Sequence, residues 1–366
     1  PCNRTRWVSL SVSLSDHTHP VSGVGVFVSG ANMERTDIRL ALPSKGRLEV
    51  AALDFLSSCG LAVHKPNPRQ YQAVMPSIPD VTVLFQRPAD IVVGVRSGSI
   101  DLGITGLDIV CESQGSDSAV ILLHDKMGFG RCSLELAVPE ELTHVRTIAD
   151  LETHVSGLSR PVRIATKFPA LTRGFLADHS VLAEHDLITA EGTLEVAPAI
   201  GYADLISDLV SSGQTLRDNR LQTLEDGCIL RSQAVLIGNR SSLRDRSEVL
   251  AIARQLLEFI EAHLRAEEFF LLTANVRGDS PDDIAQRMFR DTDLGGLQGP
   301  TISSVVTREG QPRMCAVEVV VSKNSIGEAV NEIRAIGGSG VVVSPVTYIF
   351  EEVPARFKAL LETLES

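Results

Sequence analysis

The sequence predicts an α/β protein with a two-lobed body, followed by a smaller α+β module. Short apolar segments alternate with helical patterns from Ile38 onward, and a second unit of this kind interrupts the first. The order of elements then changes near the end of the chain. We therefore expect lobe I at residues 37–131 and 229–266, lobe II at residues 132–228, and the module at residues 267–366.

Composition and charge restrict the class of function. The 366-residue chain is 43% hydrophobic, and no apolar run approaches the roughly 18 residues that suggest a membrane span. Its formal net charge of −12 argues against a general nucleic-acid or membrane-surface binder, because such proteins present a basic face. The six cysteines are scattered without zinc-site spacing, so a reduced cytoplasmic setting is the simplest interpretation.

Residues 1–36 do not resemble part of a fold. The segment is rich in Ser, Thr and Val, and Met33 stands just before the first well-formed strand. Its apolar stretch is short and broken by glycines, so it is only a weak mimic of a secretory signal. We expect a disordered extension, or one translated from upstream of the true start.

Lobe I opens with a strand from Ile38 to Leu42 and a helix that runs from Arg47 to Gly60. The turn between them places Lys45 and Arg47 at the carboxyl end of a strand, which is where ligands bind in open α/β sheets. A merely solvated pair of basic residues is the alternative.

The next two strands of lobe I also end in polar residues. Arg87 follows the predicted strand Val81 to Phe85, and Pro88 suits the first turn of a helix. The segment Asp101 to Asp108 predicts a strand that leaves into a glycine-hinged loop containing Thr105 and Gly106. A tight turn with a capping aspartate is the alternative.

Lobe II is expected to contain strands at Leu134 to Val138 and Arg163 to Ala165 and a helix at Leu171 to Leu176, and a strand at Cys228 to Ile237 is expected to lead away from it. Between the last two lies a stretch with two acids, Asp204 and Asp208, followed by Ser211, Ser212, Gly213, Gln214 and Thr215. A serine-glycine turn before a helix starting at Leu216 predicts an anion-binding loop, and the acids suit ribose hydroxyls or magnesium. The alternative is an ordinary strand, turn and helix start.

The last part of the chain predicts a ferredoxin-like module. After an amphipathic helix from Ser247 to Ala266, the expected elements are the strands Phe269 to Val276, Thr301 to Val306, Met314 to Val321 and Val341 to Phe350, with two helices between them. One helix begins at Ser280-Pro281, and the other begins with a capping-box spacing at Ser325 to Glu328. This β-α-β-β-α-β order is ferredoxin-like, and such modules are more often regulatory or oligomeric than catalytic.

The chain has no catalytic triad pattern, Walker loop or G-x-G-x-x-G after a strand. We therefore expect chemistry that works by positioning and charge, with the polar turns of both lobes closing on an anionic substrate.

The central stretch resembles the signature of the ATP phosphoribosyltransferase family. The matching positions are Glu195, Gly201, Ala203, Ile206, Asp208, Leu209, Ser212, Gly213, Thr215 and Leu216. The segments LALPSKGRL, DLGITGLD, GFGRCSLELAVP, RIATKFPALTRGF, LLTANV, LQGPTIS, AVEVVV and EIRAIGGSGVVV are similar to the family as well, so the resemblance covers about Ile38 to Phe350. It implies a periplasmic-binding-protein-like (type II) catalytic core with a C-terminal ferredoxin-like regulatory domain, the long form of the enzyme.

The resemblance also implies a reaction and roles. The family transfers a phosphoribosyl group from 5-phosphoribosyl 1-pyrophosphate (PRPP) to N1 of ATP with magnesium, as the first step of histidine biosynthesis. Arg47, Asp208 and Glu195 would be catalytic, with Glu195 the candidate magnesium ligand. The PRPP site would comprise Asp208, Ser211, Ser212, Gly213, Gln214 and Thr215. The nucleotide and pyrophosphate site would comprise Lys45, Gly46, Arg47, Arg87, Thr105, Gly106, Asp108, Thr172 and Arg173.

Regulation and assembly follow from the same resemblance. An inhibitory histidine would bind at Leu297, Thr301, Ser303, Gly338 and Ser339, and dimers would assemble into a homohexamer. Many relatives have a different pair at Gly338-Ser339. Two alternatives to the main interpretation stay open: a non-catalytic two-lobed sensor of a solute or amino acid, and a phosphoribosyltransferase acting on another base.

Overall fold

A computed structural model describes residues 36–67, 70–113, 118–179, 182, 184–190 and 192–365. Residues 37–366 form one compact unit. The extension predicted over residues 1–36 lies outside the described residues, apart from Thr36.

The strands and helices of the described residues are as follows. The strands are β1 Ile38–Pro43, β2 Gln72–Val74, β3 Val81–Gln86, β4 Leu102–Gly106, β5 Val120–His124, β6 Cys132–Pro139, β7 Val162–Thr166, β8 His185–Thr189, β9 Leu205–Val210, β10 Leu221–Ser232, β11 Ala234–Asn239, β12 Phe269–Arg277, β13 Thr301–Val305, β14 Met314–Ser322 and β15 Gly338–Pro345. The helices are α1 Gly46–Ser58, α2 Pro88–Arg96, α3 Leu107–Ser113, α4 Ile148–Ser156, α5 Pro169–Leu176, α6 Gln214–Asp218, α7 Arg240–Asp245, α8 Ser247–Ala266, α9 Pro281–Asp291, α10 Ile326–Ala335 and α11 Ala355–Glu365, with 3-10 turns at Leu194–Val196 and Lys323–Ser325.

Lobe I is built on a six-stranded sheet with the order β2-β3-β1-β4-β11-β5. β1 pairs in parallel with β3 and β4, whereas β11 pairs antiparallel with β4 and β5. One face packs on α1, α8 and α11 through residues such as Leu56, Leu256 and Phe357. The other face packs on α2 and α3 through Ile91 and Val110. Neighbouring strand residues point to opposite faces, and helices cover both faces of this sheet. Both faces are therefore apolar.

Lobe II is built on a five-stranded sheet with the order β10-β6-β9-β7-β8, in which β7 is parallel to β8 and β9. Leu151 of α4 packs on one face, and Leu216 of α6 and Leu194 pack on the other. Each lobe thus has three adjacent parallel strands, then an antiparallel strand, then an outer strand. The predicted two-lobed α/β class is confirmed, with the strand pattern expected of a periplasmic-binding-protein-like core.

The chain crosses between the lobes after β5 and again at Gln233. β10 belongs to the sheet of lobe II up to Ser232, so the return lies beyond the boundary expected at residue 229. The single strand predicted from Cys228 to Ile237 is therefore wrong, because this segment is shared between β10 and β11 in different sheets. Gln233 fastens the crossover: its carbonyl accepts the Leu107 N–H at 3.0 Å, and its Oε1 accepts the Gly128 N–H at 3.1 Å.

The C-terminal module has a four-stranded antiparallel sheet with the order β13-β14-β12-β15. Ile284 of α9 and Ile333 of α10 pack on one face of it. Together with the order of elements along the chain, this confirms the ferredoxin-like prediction. The predicted cap of α9 is confirmed too, since the Ser280 side chain accepts the Asp283 N–H and Pro281 occupies the first turn.

Two local predictions are wrong. β4 passes directly into α3 without a glycine-hinged loop, because Gly106 leaves room for the Asp108 carboxyl, which would lie 2.4 Å from a Cβ at that position. The capping box expected at Ser325 does not form. Residues Lys323–Ser325 already make a 3-10 turn, and the Ser325 hydroxyl donates to the Ser322 carbonyl at 3.1 Å instead.

A C-terminal helix, not predicted from the sequence, packs outside the module. Phe357 and Leu360 of α11 are buried in the core of lobe I. The carboxylate of Glu261, on α8, accepts the Ala355 and Arg356 N–H groups, both at 2.9 Å. The segment expected to belong to the regulatory domain at 267–366 therefore ends on lobe I. No described helix is both long and apolar enough to cross a bilayer.

Candidate active site

The carboxyl ends of the parallel strands gather the polar residues of lobe II at one edge of its sheet. β9 runs between β6 and β7, with Asp208 near its end, and the turn at residues 211–215 follows directly. The 3-10 turn that carries Glu195 packs beside β9, because its Leu194 shares a core with Ile206. The structure thus brings together Asp208, Glu195 and the predicted anion loop.

The surroundings of Asp208 shift the pKa of its carboxyl in both directions. Burial raises the pKa of its carboxyl, and the negative charge of Glu195 adds to that rise. A hydrogen bond from the Leu209 N–H, at 2.8 Å, and the positive charge of Lys167 lower the same pKa. A ligand that brings hydroxyl donors or a cation would stabilise the charged form of this buried carboxylate.

The turn after β9 is held in shape by its own side chains. Gly213 has a φ of 71°, which favours glycine. The Arg217 guanidinium folds back, and its Nη2 donates to the Ser212 carbonyl at 3.0 Å and to Gln214 Oε1 at 3.2 Å. The helix starts at Gln214, ahead of the predicted Leu216.

The hydroxyl groups of the turn are available to a ligand. Ser211, Ser212 and Thr215 are exposed, and a cavity of about 420 Å³ beside the turn is lined by residues that include Ser211, Arg146 and Arg217. Hydroxyls and main-chain N–H groups on a fixed glycine turn, with basic side chains beside them, suit a phosphate group.

Asp204 has a structural role instead of a role in ribose or magnesium binding. At the far end of β9 it accepts hydrogen bonds from Arg160 Nη1 and Nη2 at 2.6 and 2.7 Å, and from the Arg163 N–H and Nη2 at 2.9 and 3.0 Å. These bonds, those from Arg160 first, hold the pKa of Asp204 well below its usual range. The suggestion that Asp204 serves a ligand is therefore wrong, because both of its oxygens are occupied by arginines.

Lobe I places a basic group at the matching edge of its own sheet. The ends of β1 and β3 are tied by the Ser44 N–H, which donates to the Gln86 carbonyl at 2.9 Å. Lys45, Arg47 and Arg87 project from these ends with exposed side chains, and none of them forms an ion pair with another described residue. Gly46, with a φ of 74°, has open space where a side chain would stand. This edge can receive an anionic group.

Three other predicted residues of lobe I are enclosed. Thr105 is fully buried and donates its hydroxyl to the Pro88 carbonyl at 3.1 Å. Asp108 is 5% exposed and accepts the Ser232 hydroxyl at 2.6 Å, and burial raises the pKa of its carboxyl. The side chains of Thr105 and Asp108 thus brace the joint between β4 and α3, and the expectation that Thr105, Gly106 and Asp108 line the mouth of the site stays a prediction.

Of the two predicted site residues on α5, one is exposed and the other is buried. Arg173 is exposed. Thr172 is fully buried, and its Oγ1 lies 2.9 Å from Ser207 Oγ and 3.4 Å from Thr166 Oγ1. This hydroxyl joins α5 to β7 and β9, and the expected nucleotide contact of Thr172 stays a prediction.

Two family models and several named relatives match this chain. A family model described as ATP phosphoribosyltransferase matches residues 87–261, and one described as HisG, C-terminal domain, matches residues 266–348. The chain is 44% identical over 339 residues to ATP phosphoribosyltransferase 2, chloroplastic, of Arabidopsis thaliana, covering 90% of this chain and 81% of that protein. The chain belongs to the ATP phosphoribosyltransferase family.

As a member of the ATP phosphoribosyltransferase family, the chain is a pentosyltransferase of the long form. A relative named ATP phosphoribosyltransferase from Bradyrhizobium sp. (strain ORS 278) is 34% identical over 333 residues, with 89% of this chain and 98% of the relative covered. A solved ATP phosphoribosyl transferase (HisG:HisZ) complex from Thermotoga maritima is similar at 26% identity and a TM-score of 0.48, covering 61% of this chain and 98% of that chain. The two family models together match part of the catalytic body and most of the C-terminal module.

Sequence reasoning missed two residues beside the candidate site. Lys167 follows β7 and acts on the Asp208 charge. Its position after a parallel strand, like that of Lys45 after β1, was the available signal. Glu112 of α3 accepts the Ala170 and Leu171 N–H groups of α5 at 2.8 and 2.9 Å. No sequence signal marks this contact between the lobes.

The residues expected to bind histidine are not brought together within one chain. Thr301 and Ser303 lie on β13, whereas Gly338 and Ser339 lie on β15, and β14 and β12 separate these two edge strands. Three strand spacings amount to roughly 14 Å. Leu297, before β13, is 41% exposed. One copy of this sheet therefore cannot close the predicted set around a single amino acid.

Proposed function

We propose that the protein transfers the 5-phosphoribosyl group of PRPP to N1 of ATP, releasing pyrophosphate, as the first step of histidine biosynthesis. The observation that carries the proposal is the placement of Asp208 directly before the Ser211–Thr215 turn at the carboxyl edge of the sheet of lobe II.

The second lobe would hold PRPP. The hydroxyls of Ser211, Ser212 and Thr215 and the main chain of Gly213 and Gln214 would bind the 5-phosphate. Asp208 would accept hydrogen bonds from the ribose hydroxyls, which favour its charged form and offset its burial. Glu195, close enough to raise the pKa of Asp208, would face the same sugar.

The first lobe would hold the other phosphates. Lys45 lies between β1 and α1, Arg47 lies in the first turn of α1, and Arg87 follows the end of β3. The guanidinium of Arg47 can bind two phosphate oxygens at once, and the lack of a side chain at Gly46 lets those oxygens approach the main chain. Arg173 would approach from α5. We propose these four residues as the nucleotide and pyrophosphate site.

Positioning and charge would supply most of the rate. The lone pair of adenine N1 forms a bond to ribose C1 while the bond from C1 to the pyrophosphate oxygen breaks, and the electron pair leaves with pyrophosphate. N1 carries no proton, so no strong base is needed. Positive charge develops on the ribose, beside the carboxylates of Asp208 and Glu195, while Arg47 would offset the charge of the leaving group.

Magnesium fits this site as a partner of the substrate. Among the described residues, no three His, Cys, Asp or Glu side chains are grouped to hold a metal ion. Magnesium commonly keeps several waters and binds through one or two carboxylates and substrate phosphates, so Glu195 and Asp208 can complete such a shell. Bound there, it would neutralise charge on the pyrophosphate.

An assay with purified protein, ATP, PRPP and magnesium tests the reaction by the absorbance of phosphoribosyl-ATP. We expect product that requires all three components. Product with another base in place of ATP would point to a different phosphoribosyltransferase, and the absence of any product from folded protein would overturn the proposal.

We further propose that histidine inhibits the enzyme by binding between modules of neighbouring copies in a hexamer built from dimers. Support comes from Thr301 and Gly338, which lie on opposite edges of one sheet and need a second chain to meet around one ligand. Adding millimolar histidine to the same assay, with the oligomeric state measured by light scattering, tests this. An unchanged rate would overturn it.

We propose a cytoplasmic location, on the ground that the six scattered cysteines suit a reducing compartment. Two relatives from Arabidopsis thaliana are named chloroplastic. Imaging the full-length protein with a C-terminal fluorescent tag distinguishes the two locations, and a plastid signal would overturn the proposal.

A further inference from the structure

The geometry points to Glu112 as a positioning residue. Through Glu112, lobe I fixes the segment Lys167-Phe168, which joins β7 to α5 in lobe II, beside Asp208. This segment is called the Lys167 turn. This inference rests on the proposed function for its kinetic consequence. Its structural part, a carboxylate of one lobe that caps a helix of the other, stands on the contacts alone.

The contact itself is a two-point cap. Glu112 Oε1 accepts the Ala170 N–H at 2.8 Å, and Oε2 accepts the Leu171 N–H at 2.9 Å. Pro169 is the first residue of α5 and has no N–H, so these are the first two donors that the helix offers. Phe168 at the N-cap makes no side-chain cap. The charge of Glu112 also interacts favourably with the positive end of the helix.

A second carboxylate on α3, that of Asp108, also forms a hydrogen bond with lobe II. Asp108 precedes Glu112 by four positions, so both lie on one face of α3. Asp108 accepts the Ser232 hydroxyl at 2.6 Å, and its own N–H donates to Ser232 Oγ at 3.0 Å. α3 is therefore fastened to lobe II at the end of β10 and at the start of α5.

The Lys167 turn stands between this cap and the phosphoribosyl site. On one side, the Phe168 N–H donates to Thr166 Oγ1 at 2.9 Å. Thr172, one turn into α5, lies 2.9 Å from the hydroxyl of Ser207, which precedes Asp208 on β9. On the other side, Glu112 holds the first turn of α5. Lys167 is thus held beside Asp208 from both sides, by the hydrogen bonds within lobe II and by the Glu112 cap from lobe I.

Loss of the cap should loosen the start of α5 and let Lys167 move away from Asp208. A freed Lys167 would weaken PRPP binding more than it slows the chemical step, because it does not touch the attacking adenine in the proposed scheme. The expected signature is a rise in KM for PRPP with little change in kcat, and with KM for ATP nearly unchanged.

The test compares Glu112→Gln with Glu248→Gln, a change of the same type at an exposed glutamate in the first turn of α8. Hydrogen exchange of the full-length protein, read on peptides covering Ala170 and Leu171, measures the cap without any substrate. Loss of a charged hydrogen bond is worth roughly tenfold or more, so we expect about tenfold faster exchange there in Glu112→Gln, and wild-type exchange in Glu248→Gln.

Kinetics on the same samples complete the test. We expect KM for PRPP to rise about tenfold in Glu112→Gln while the melting temperature stays close to that of wild type. Unchanged exchange at Ala170 and Leu171 would overturn the cap. Faster exchange with an unchanged KM for PRPP would overturn the positioning role. If wild-type protein makes no phosphoribosyl-ATP, the proposed function fails, and the exchange result still decides whether Glu112 caps α5. Should Glu112→Gln fail to fold, Glu112→Asp, which is too short to reach both N–H groups, takes its place.

Discussion

Arg160 forms a two-point ion pair with Asp204, with Nη1 to Oδ2 at 2.6 Å and Nη2 to Oδ1 at 2.7 Å, at the start of the strand that carries Asp208 near its end. Two nearby aspartates therefore have different tasks, Asp204 just before β9 and Asp208 within it. Asp204 joins β9 to the neighbouring β7 through Arg163, and Asp208 faces the proposed sugar site.

The two aspartates should respond differently to the same isosteric change. We expect Asp204→Asn to lower the free energy of unfolding by about 1 to 2 kcal/mol, because charged hydrogen bonds at a half-buried site are lost, and to leave KM for PRPP unchanged. Asp208→Asn should keep the fold and raise KM for PRPP. Urea unfolding and steady-state kinetics on both variants give the comparison. Wild-type kinetics in Asp208→Asn would remove this residue from the site.

The pH dependence of PRPP use should move in opposite directions when the two neighbours of Asp208 are neutralised. Burial and Glu195 raise the pKa of Asp208, whereas Lys167 lowers it. If the charged carboxylate binds ribose, kcat/KM for PRPP falls as the pH drops through this pKa. Glu195→Gln should shift that acidic limb to lower pH, and Lys167→Gln should shift it to higher pH. Profiles of kcat/KM from pH 5 to 8 measure both, with wild type as the reference for the titration of PRPP itself. Shifts in the same direction would contradict the assignment.

The phosphate turn should tolerate no side chain at Gly213. An alanine there would adopt a φ of 71°, and its Cβ would lie 3.0 Å from Nη1 of Arg217, whose Nη2 donates the hydrogen bonds that hold the turn. We expect Gly213→Ala to cost about 1 to 2 kcal/mol at the turn and to raise KM for PRPP about tenfold. Gly327→Ala, in the first turn of α10 with no atoms near the new Cβ, is the matched control and should leave KM unchanged. Equal kinetics in both variants would mean that this turn does not hold the phosphate.

Acid should destabilise the protein partly through His124. This side chain is 2% exposed, and its Nδ1 accepts the Lys126 N–H at 3.2 Å, which requires the neutral ring. Burial, with the charge of Arg356, lowers the pKa of His124 to about 3, against a slight rise caused by Asp125. A depressed folded-state pKa gives stability that is present above the unfolded pKa and is lost as the pH falls from about 6.5 toward 3.

Between pH 7 and pH 5, we therefore expect His124 to account for about 2 kcal/mol of the loss in unfolding free energy. His124→Asn, which keeps an acceptor near the Nδ1 position and does not titrate there, should lose that much less than wild type over the same interval. Urea unfolding at both pH values measures the difference. An identical pH dependence in the two proteins would show that His124 is not the responsible group.

Much of this fold can be predicted from local sequence patterns. The 3.6-residue repeat along α8, the proline at the start of α2 and α9, and the short apolar strands were enough to predict two lobes and a ferredoxin-like module. The proposed sugar site was equally accessible, because Asp208 and the turn after it are adjacent in sequence and the signature marks them.

Other residues depend on which segments meet in space. Asp204 reads like a ligand until the arginines beside it are known, and Thr172 reads like a nucleotide contact, with Ser207 beside it found only in the structure. Glu112 caps a helix that begins 57 positions further along the chain. No spacing rule reaches such partners, because they are set by how the lobes pack.

The C-terminal module lies between two segments of the catalytic body. The module is entered from α8 and left toward α11, and both helices are part of the lobe I core. The module is therefore an insertion joined to lobe I at both ends. Removing it requires an internal deletion and not a truncation. A stop codon after residue 348 would take Phe357 and Leu360 out of the catalytic body, whereas a short bridge from the end of α8 to Pro354 would delete the module and leave that core filled.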